Sequence, residues 1–320
     1  MLKKWISLLL ALVLALSCTA CGQTEAPEET TAAPLLSNSM QKSDPAEDDT
    51  LNVLMIGNSF CYYYPDELYG MAQAAGIKMR ICNVYYSGCK ISQHWTWFKN
   101  GEANYSFHEN GVKLVENVDL KYCLMQGNWD VISLQSADSI TDNSDIEARL
   151  EFNKLWLDDL YGYIREQFPL SQLAWQQTWA YQVGTASNGV ETTPESQLRS
   201  YNNNKAFSML VCETYDAIRI NTGEAWKIIR DSGYDNLCAR LGKAVPGAAP
   251  NTGDNYHDGD IGGGQYLNAC VWFEVLTGES CIGNTFVPSY TQNSVPFEML
   301  IDLETLQNAA HQAVAQLNNP

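Results

Sequence analysis

Cations are scarce in this chain of 320 residues: 19 Lys and Arg stand against 37 Asp and Glu, for a formal net charge of −18. A polyanion partner needs clustered cations to neutralise phosphates, so nucleic-acid binding is the first class excluded. Histidine is nearly as sparse. Only His94, His108, His257 and His311 are available for imidazole chemistry. No internal repeat is visible, and no second lobe matching the first, which argues against the hinged, two-lobed solute-binding proteins of transporters. Disorder is excluded in turn, because 45% of residues are hydrophobic and the chain holds 9 Trp and 17 Tyr. The length also exceeds that of a disulfide-stapled miniprotein and suits one large domain or two small ones.

The first residues read as an address. Lys3 and Lys4 precede an apolar run from Trp5 to Leu16, and small residues follow up to Ala20-Cys21-Gly22. This is the order of a secretory signal, and the run is too short to span a bilayer comfortably as a mature helix. Cys21 after Ala20 resembles the lipobox of bacterial lipoproteins, in which the signal (here residues 1–21) is cut before a lipidated Cys. Cys18, where Leu is usual, is the alternative acceptor, and plain secretion the alternative fate; all place the protein outside the cytoplasm. Residues 22–50 carry seven acids against Lys42, with Pro, Thr, Ser and Ala filling the rest, so they read as a solvated tether. The remaining −14 belongs to residues 51–320, where it favours solubility and discourages binding to anionic surfaces.

Eight cysteines lie beyond Cys21, and none forms a CxxC pair, which disfavours a zinc ribbon or a dithiol redox motif. Several sit in apolar stretches, as in Leu210-Val211-Cys212, where Cys acts as a small hydrophobe. An exported chain with scattered thiols implies either a few disulfides or life without oxygen.

Within 51–320, short apolar runs alternate with helical patterns. Leu51–Ile56, Met79–Tyr86, Asp130–Gln135, Gln172–Gln177 and Ala217–Asn221 read as strands. Pro65–Ala75, Asp145–Phe168, Ser196–Tyr215, Gly264–Leu276 and Leu300–Leu317 read as helices, with Pro65 at a helix start and Gly76 and Gly278 at helix ends. The alternation predicts one α/β domain, a parallel sheet of about five strands covered by helices on both faces, with about 100–130 as a loop-rich insertion. Ligands in such sheets bind beyond the carboxyl ends of the strands, here just after Ile56, Tyr86 and Gln135.

Gly57-Asn58-Ser59-Phe60 follows the first strand and precedes a helix, which presents Ser59 at the sheet edge. Ser59 there is either a nucleophile awaiting a base or a turn and cap residue. His257 closes the polar run Gly253-Asp254-Asn255-Tyr256-His257. Asp254, three residues earlier, can reach the imidazole Nδ1–H and leave Nε2 free to take a hydroxyl proton. The plainer reading is an Asp/His turn without a task.

The blocks VLMIGNSF, YYSGCKISQH, WDVISLQ and HDGDIGGGQYLNACVWFEVLTG together resemble, in order, an SGNH-like family of exported bacterial proteins, a domain of unknown function. GNSF is similar to the GDSL block of the SGNH hydrolases and DNYH to their DxxH block. The resemblance implies a flavodoxin-like three-layer α/β/α fold, with Ser59 as nucleophile, His257 as base and Asp254 as the acid that orients it. It implies an oxyanion hole from the N–H groups of Ser59 and Gly88 and an Asn side chain. The sequence departs from the pattern there, with Ala137 where that Asn is expected. Gln135 offers an amide of the same chemistry, as in some carbohydrate-esterase relatives. Asn58, His94 and Trp95 are candidate substrate contacts. Tyr62, Tyr63, Tyr64, Trp95, Trp97, Trp129, Trp175 and Trp179 are either sugar-stacking planes or core. Asp258-Gly259-Asp260 resembles the start of a calcium loop but lacks its downstream ligand, and so reads better as helix capping.

The reading that follows is a monomeric, lipid-anchored serine esterase on the outer face of the bacterial cytoplasmic membrane. It acts on O-acylated carbohydrate and needs no cofactor or metal. The alternative is a glycan-binding lipoprotein that keeps the fold without turnover.

Overall fold

The computed structural model describes residues 49–136, 145–183, 193–242, 257–292 and 295–317. The signal, the lipidation cysteines and nearly all of the tether lie outside them, as does Asp254. Among the described residues no helix is long and apolar enough to cross a membrane.

The chain folds as β1 (Leu51–Gly57), α1 (Pro65–Ala74), β2 (Met79–Tyr85), α2 (Ile91–Asn100), β3 (Tyr105–Glu109), β4 (Val112–Val118), α3 (Leu120–Leu124), β5 (Val131–Leu134), α4 (Ile146–Gln167), β6 (Gln172–Gln176), α5 (Pro194–Tyr215), β7 (Ile218–Ile220), α6 (Thr222–Asp231), α7 (Gly264–Thr277), a small hairpin of β8 (Tyr290–Gln292) and β9 (Val295–Phe297), and α8 (Leu303–Ala315). The main sheet has the order β4-β3-β2-β1-β5-β6-β7. Five of its strands are parallel, β2-β1-β5-β6-β7, with Val53 of β1 in register with Ile81 of β2 and Val131 of β5.

The central strand shows why both faces must be covered. Val53 and Met55 point into one core with α1, α6, α7 and α8 residues such as Leu68, Trp226, Trp272 and Leu306. Leu54 and Ile56 point into the other, with Trp97, Leu157, Leu160 and Phe207 from α2, α4 and α5. A strand whose alternate side chains all lack polar atoms has no face to give to water, so two helical layers close over it. The result is the expected three-layer α/β/α fold. Helix α7 is buried almost all round between its neighbours, and its sequence (GQYLNACVWFEVLT) carries no polar stripe.

The expected loop-rich insertion at about 100–130 is overturned. Residues 105–118 form an antiparallel hairpin that extends the sheet beyond β2, and α3 follows. Asn110 and Gly111 both adopt positive φ (48° and 81°), the geometry of a two-residue type I′ turn. That Asn-Gly pair, between the alternating segments YSFHE and VKLVENV, was the legible signal. It was obscured because the apolar residues of the edge strand β4 mark no core face: Val112 and Leu114 face solvent. The eight cysteines beyond Cys21 are free thiols, seven of them buried as small core residues, so the scattered-thiol pattern involves no disulfide between them.

Candidate active site

The turn after β1 carries the site. Gly57 ends the strand, and Asn58 caps a 3-10 turn (Ser59–Cys61) by accepting the Phe60 N–H at 3.1 Å. Asn58 is wholly buried, and its amide holds three segments together. Its Oδ1 also accepts from Gln135 Nε2, just past β5, at 2.7 Å, while its Nδ2 donates to the Cys89 carbonyl after β2 at 2.9 Å. From β6, Gln176 Nε2 donates to the Phe60 carbonyl at 2.9 Å, and from β2, Asn83 Nδ2 donates to the Cys61 carbonyl. Polar groups from three strands or strand ends thus converge on one turn in the core, where an unpaired amide or carbonyl would be costly. Gly57 is required by the same crowding, because a Cβ there would collide with the Gln135 amide and lie 2.9 Å from its Cγ.

Ser59, at the outer end of this framework, remains 7% exposed. Its Oγ lies 2.8 Å from His257 Nε2, across 198 residues of sequence. His257 enters on a loop whose glycines permit close docking. The Gly259 and Gly262 N–H groups donate to the Leu237 and Ala239 carbonyls at 2.8 and 2.9 Å. A Cβ at Gly259 would strike the Ala239 carbonyl, and one at Gly264 would lie 2.6 Å from the Leu237 carbonyl. Phe60 packs against Trp179, Tyr181 and His257, and the Tyr63 ring stands 5.3 Å from the His257 ring. Gly88 adopts φ +65°, and among the described residues no partner takes the N–H of Gly88 or that of Ser59.

Two buried groups beside the site, Asp258 and Cys61, are shifted by burial. Burial pushes the Asp258 carboxyl up to about 7, against the pull of Arg240 and His257; its Oδ2 accepts from Asn268 Nδ2 at 3.2 Å. Burial also pushes the Cys61 thiol up to about 12, so this neighbour of Ser59 offers no thiolate. Asp260 Oδ1 accepts the N–H groups of Leu241 and Ile261 at 2.8 and 2.6 Å, which ties its loop to the segment before it in space; the helix-capping expectation is overturned, because α7 starts after Gly263 with no side-chain cap.

The structure therefore brings Ser59 and His257 together with Gly88 on an adjacent loop, while Asp254 lies outside the described residues. Three expected contacts are placed otherwise. His94 is fully buried on the inner face of α2, stacked on Tyr105 with its Nδ1 2.8 Å from the phenol oxygen, and burial lowers its pKa to about 3. Trp95 binds Asp159 of α4 through Nε1 at 2.7 Å and belongs to a helix–helix contact. Asn58 lies wholly buried beneath the turn, with its side-chain oxygen and nitrogen both bonded to the protein. Gln135, expected to aim at an oxyanion, is itself buried and directs an amide N–H to Asn58. Of the aromatic candidates, Tyr64, Trp97, Trp129, Trp175 and Trp179 are core, whereas Tyr62 and Tyr63 remain half-buried at the site. Asn83 and Gln176 were missed. The signal for both is an amide near the carboxyl end of a strand and next to apolar residues, in MRICNVY and QLAWQ.

The fold and site define a three-layer α/β protein with a Ser–His pair at the carboxyl ends of its central strands. The chain belongs to the DUF4886 family, a domain of unknown function, whose model matches residues 52–299. It is similar to the crystal structure of a DUF4886 family protein from Bacteroides uniformis ATCC 8492, with 27% identity over 84% of this chain and 96% of that one and a TM-score of 0.67. Fainter likenesses run to a lipase/acylhydrolase from Enterococcus faecalis (13% identity, 70% and 95% coverage, TM-score 0.43) and an acetylxylan esterase from Geobacillus stearothermophilus (13%, 72% and 97%, TM-score 0.41). No curated protein matches the chain.

Proposed function

We propose that this protein is a serine esterase, exported and lipid-anchored through Cys21, that deacylates O-acylated carbohydrate. The observation that carries the reading is the 2.8 Å contact between Ser59 Oγ and His257 Nε2, on a turn that the core holds rigid. Nε2 takes the hydroxyl proton as Oγ attacks the ester carbonyl. The oxyanion that forms is met by the Ser59 and Gly88 N–H groups, with Gln135 holding the turn that presents the first of them. His257 then protonates the departing alkoxide, leaving an acyl-Ser59. Water attacks that ester, gives its proton to His257 and releases the acid, and the proton returns to Ser59. Asp254, three residues before His257, is assigned to orient the ring. Tyr62 and Tyr63 supply aromatic surface suited to a sugar ring.

Hydrolysis of p-nitrophenyl acetate and of acetylated xylo-oligosaccharides by the full chain tests this, beside Ser59→Ala and fluorophosphonate labelling. Turnover and labelling that vanish in Ser59→Ala are the expected result. Wild type and variant equally inactive, with Ser59 unlabelled, would overturn the esterase and favour the glycan-binding reading.

A further inference from the structure

We propose that Arg240 is a positioning residue for His257, an inference that rests on the esterase reading above. Three contacts place it. Arg240 Nε and Nη2 both donate to the carbonyl of Asp258, the residue after His257, at 3.2 and 3.1 Å. The guanidinium carbon stands 3.9 Å over the centre of the Tyr63 ring. Tyr63 in turn meets the His257 ring at 5.3 Å, with their planes inclined at 64°. One planar cation thus grips the backbone that carries the base and the aromatic side chain that bounds it. Tyr63 lies four residues after Ser59, so the same cation ties the base-bearing loop to the segment that carries the nucleophile. Its fork and its flat face are used at once, a combination that a lysine ammonium lacks.

The loop does not need Arg240 in order to dock. The Gly259–Leu237 and Gly262–Ala239 backbone bonds and the Asp260 carboxylate against Leu241 N–H hold it regardless. Removing the guanidinium leaves a folded protein whose His257 ring is free to rock away from Ser59 Oγ. A displacement of about 1 Å at a reacting group can reduce turnover by about 100-fold while leaving remote substrate contacts intact.

The test compares Arg240→Ala, Arg240→Lys, Tyr63→Leu and the Arg240→Ala/Tyr63→Leu double variant in the full chain, with p-nitrophenyl acetate as probe and thermal unfolding as the folding control. Arg240→Ala takes both donors from the buried Asp258 carbonyl, so it is expected to unfold a few degrees below wild type yet stay folded at the assay temperature, and to lose about 10–100-fold in kcat with KM within about twofold. Arg240→Lys should fall between, and millimolar ethylguanidinium should restore part of the Arg240→Ala rate. The double variant should be no slower than the worse single one, because both substitutions break one contact chain. A kcat within twofold of wild type, a loss confined to KM, or losses that multiply in the double variant would each overturn the proposal. Inactive wild type with unlabelled Ser59 would instead sink the esterase reading. The positioning claim is then decided by the His257 imidazole ¹H–¹⁵N spectrum: one ring environment splitting or broadening in folded Arg240→Ala supports it, and an unchanged spectrum overturns it.

Discussion

The Asn58 side-chain carbonyl accepts a 2.7 Å hydrogen bond from the Gln135 amide, 77 residues further along the chain. Both groups lie in the core, and the Asn58 Nδ2 continues the line to the Cys89 carbonyl, so the ends of β1, β5 and β2 are joined through one amide. The rigidity of the nucleophile turn follows from this junction. Asn58→Ala removes the buried acceptor shared by the Gln135 amide and the Phe60 N–H, and each donor so deprived costs about 1–3 kcal/mol. A loss of about 2–5 kcal/mol in unfolding free energy, measured with urea, and a fall of at least tenfold in kcat are expected. An active variant of wild-type stability would show that the junction is ornamental.

Gln135→Leu keeps the volume of the side chain and removes its hydrogen bond. Because Gln135 acts through Asn58, the expected loss is in kcat with KM nearly unchanged, together with a smaller drop in stability than Asn58→Ala, about 1–2 kcal/mol. Unchanged kinetics would remove Gln135 from the site altogether.

Glycine substitutions separate two kinds of requirement. Gly259→Ala pushes a methyl group into the Ala239 carbonyl, so the loop bearing His257 has to lift off segment 236–241. Collapse of both activity and stability is expected. At Gly88 a Cβ meets open space, and only the positive φ resists it. Gly88→Ala should therefore cost about 1 kcal/mol in unfolding free energy. A larger effect at Gly88 than at Gly259 would contradict this packing.

Two buried groups give stability opposite pH dependences. The folded protein resists protonation of His94 down to about pH 3, whereas the unfolded chain takes that proton near 6.5. This contribution is complete above pH 6.5 and declines as the pH falls towards 3. Asp258 ionises near 7 when folded but near 3.8 when unfolded, so its contribution is complete below 3.8 and declines as the pH rises towards 7. Each window corresponds to a few kcal/mol at most, on the order of 1.4 kcal/mol per pH unit. His94→Phe should flatten the acid limb of a urea-midpoint profile, and Asp258→Asn should raise the midpoint at pH 8 more than at pH 4. Profiles parallel to wild type would refute the assignment.

Which parts were readable follows from range of interaction. The parallel strands announced themselves as largely apolar runs because most of their side chains are buried on one face or the other, and Ser59 with His257 stood out through turn chemistry and the rarity of histidine. His94 misled for the same reason. One imidazole near a motif looks like cleft chemistry, and only the packing of α2 shows it stacked on Tyr105 inside the core. The hairpin at 105–118 was hidden because its outer strand, β4, leaves Val112 and Leu114 in water and shows no buried face, although the Asn110-Gly111 turn marked it.

The sequence by itself determined the layers of the fold and the candidacy of Ser59 and His257, since periodicity and turn residues act over a few neighbours. Tertiary structure alone decided that their side chains meet at 2.8 Å. It also decided that the amides of Asn83, Gln135 and Gln176 face the nucleophile turn, and that Arg240 lies against the loop of the base. Such pairings join residues tens to hundreds of positions apart. Local propensity carries no information about them, and they exist only once the two cores have closed on the sheet.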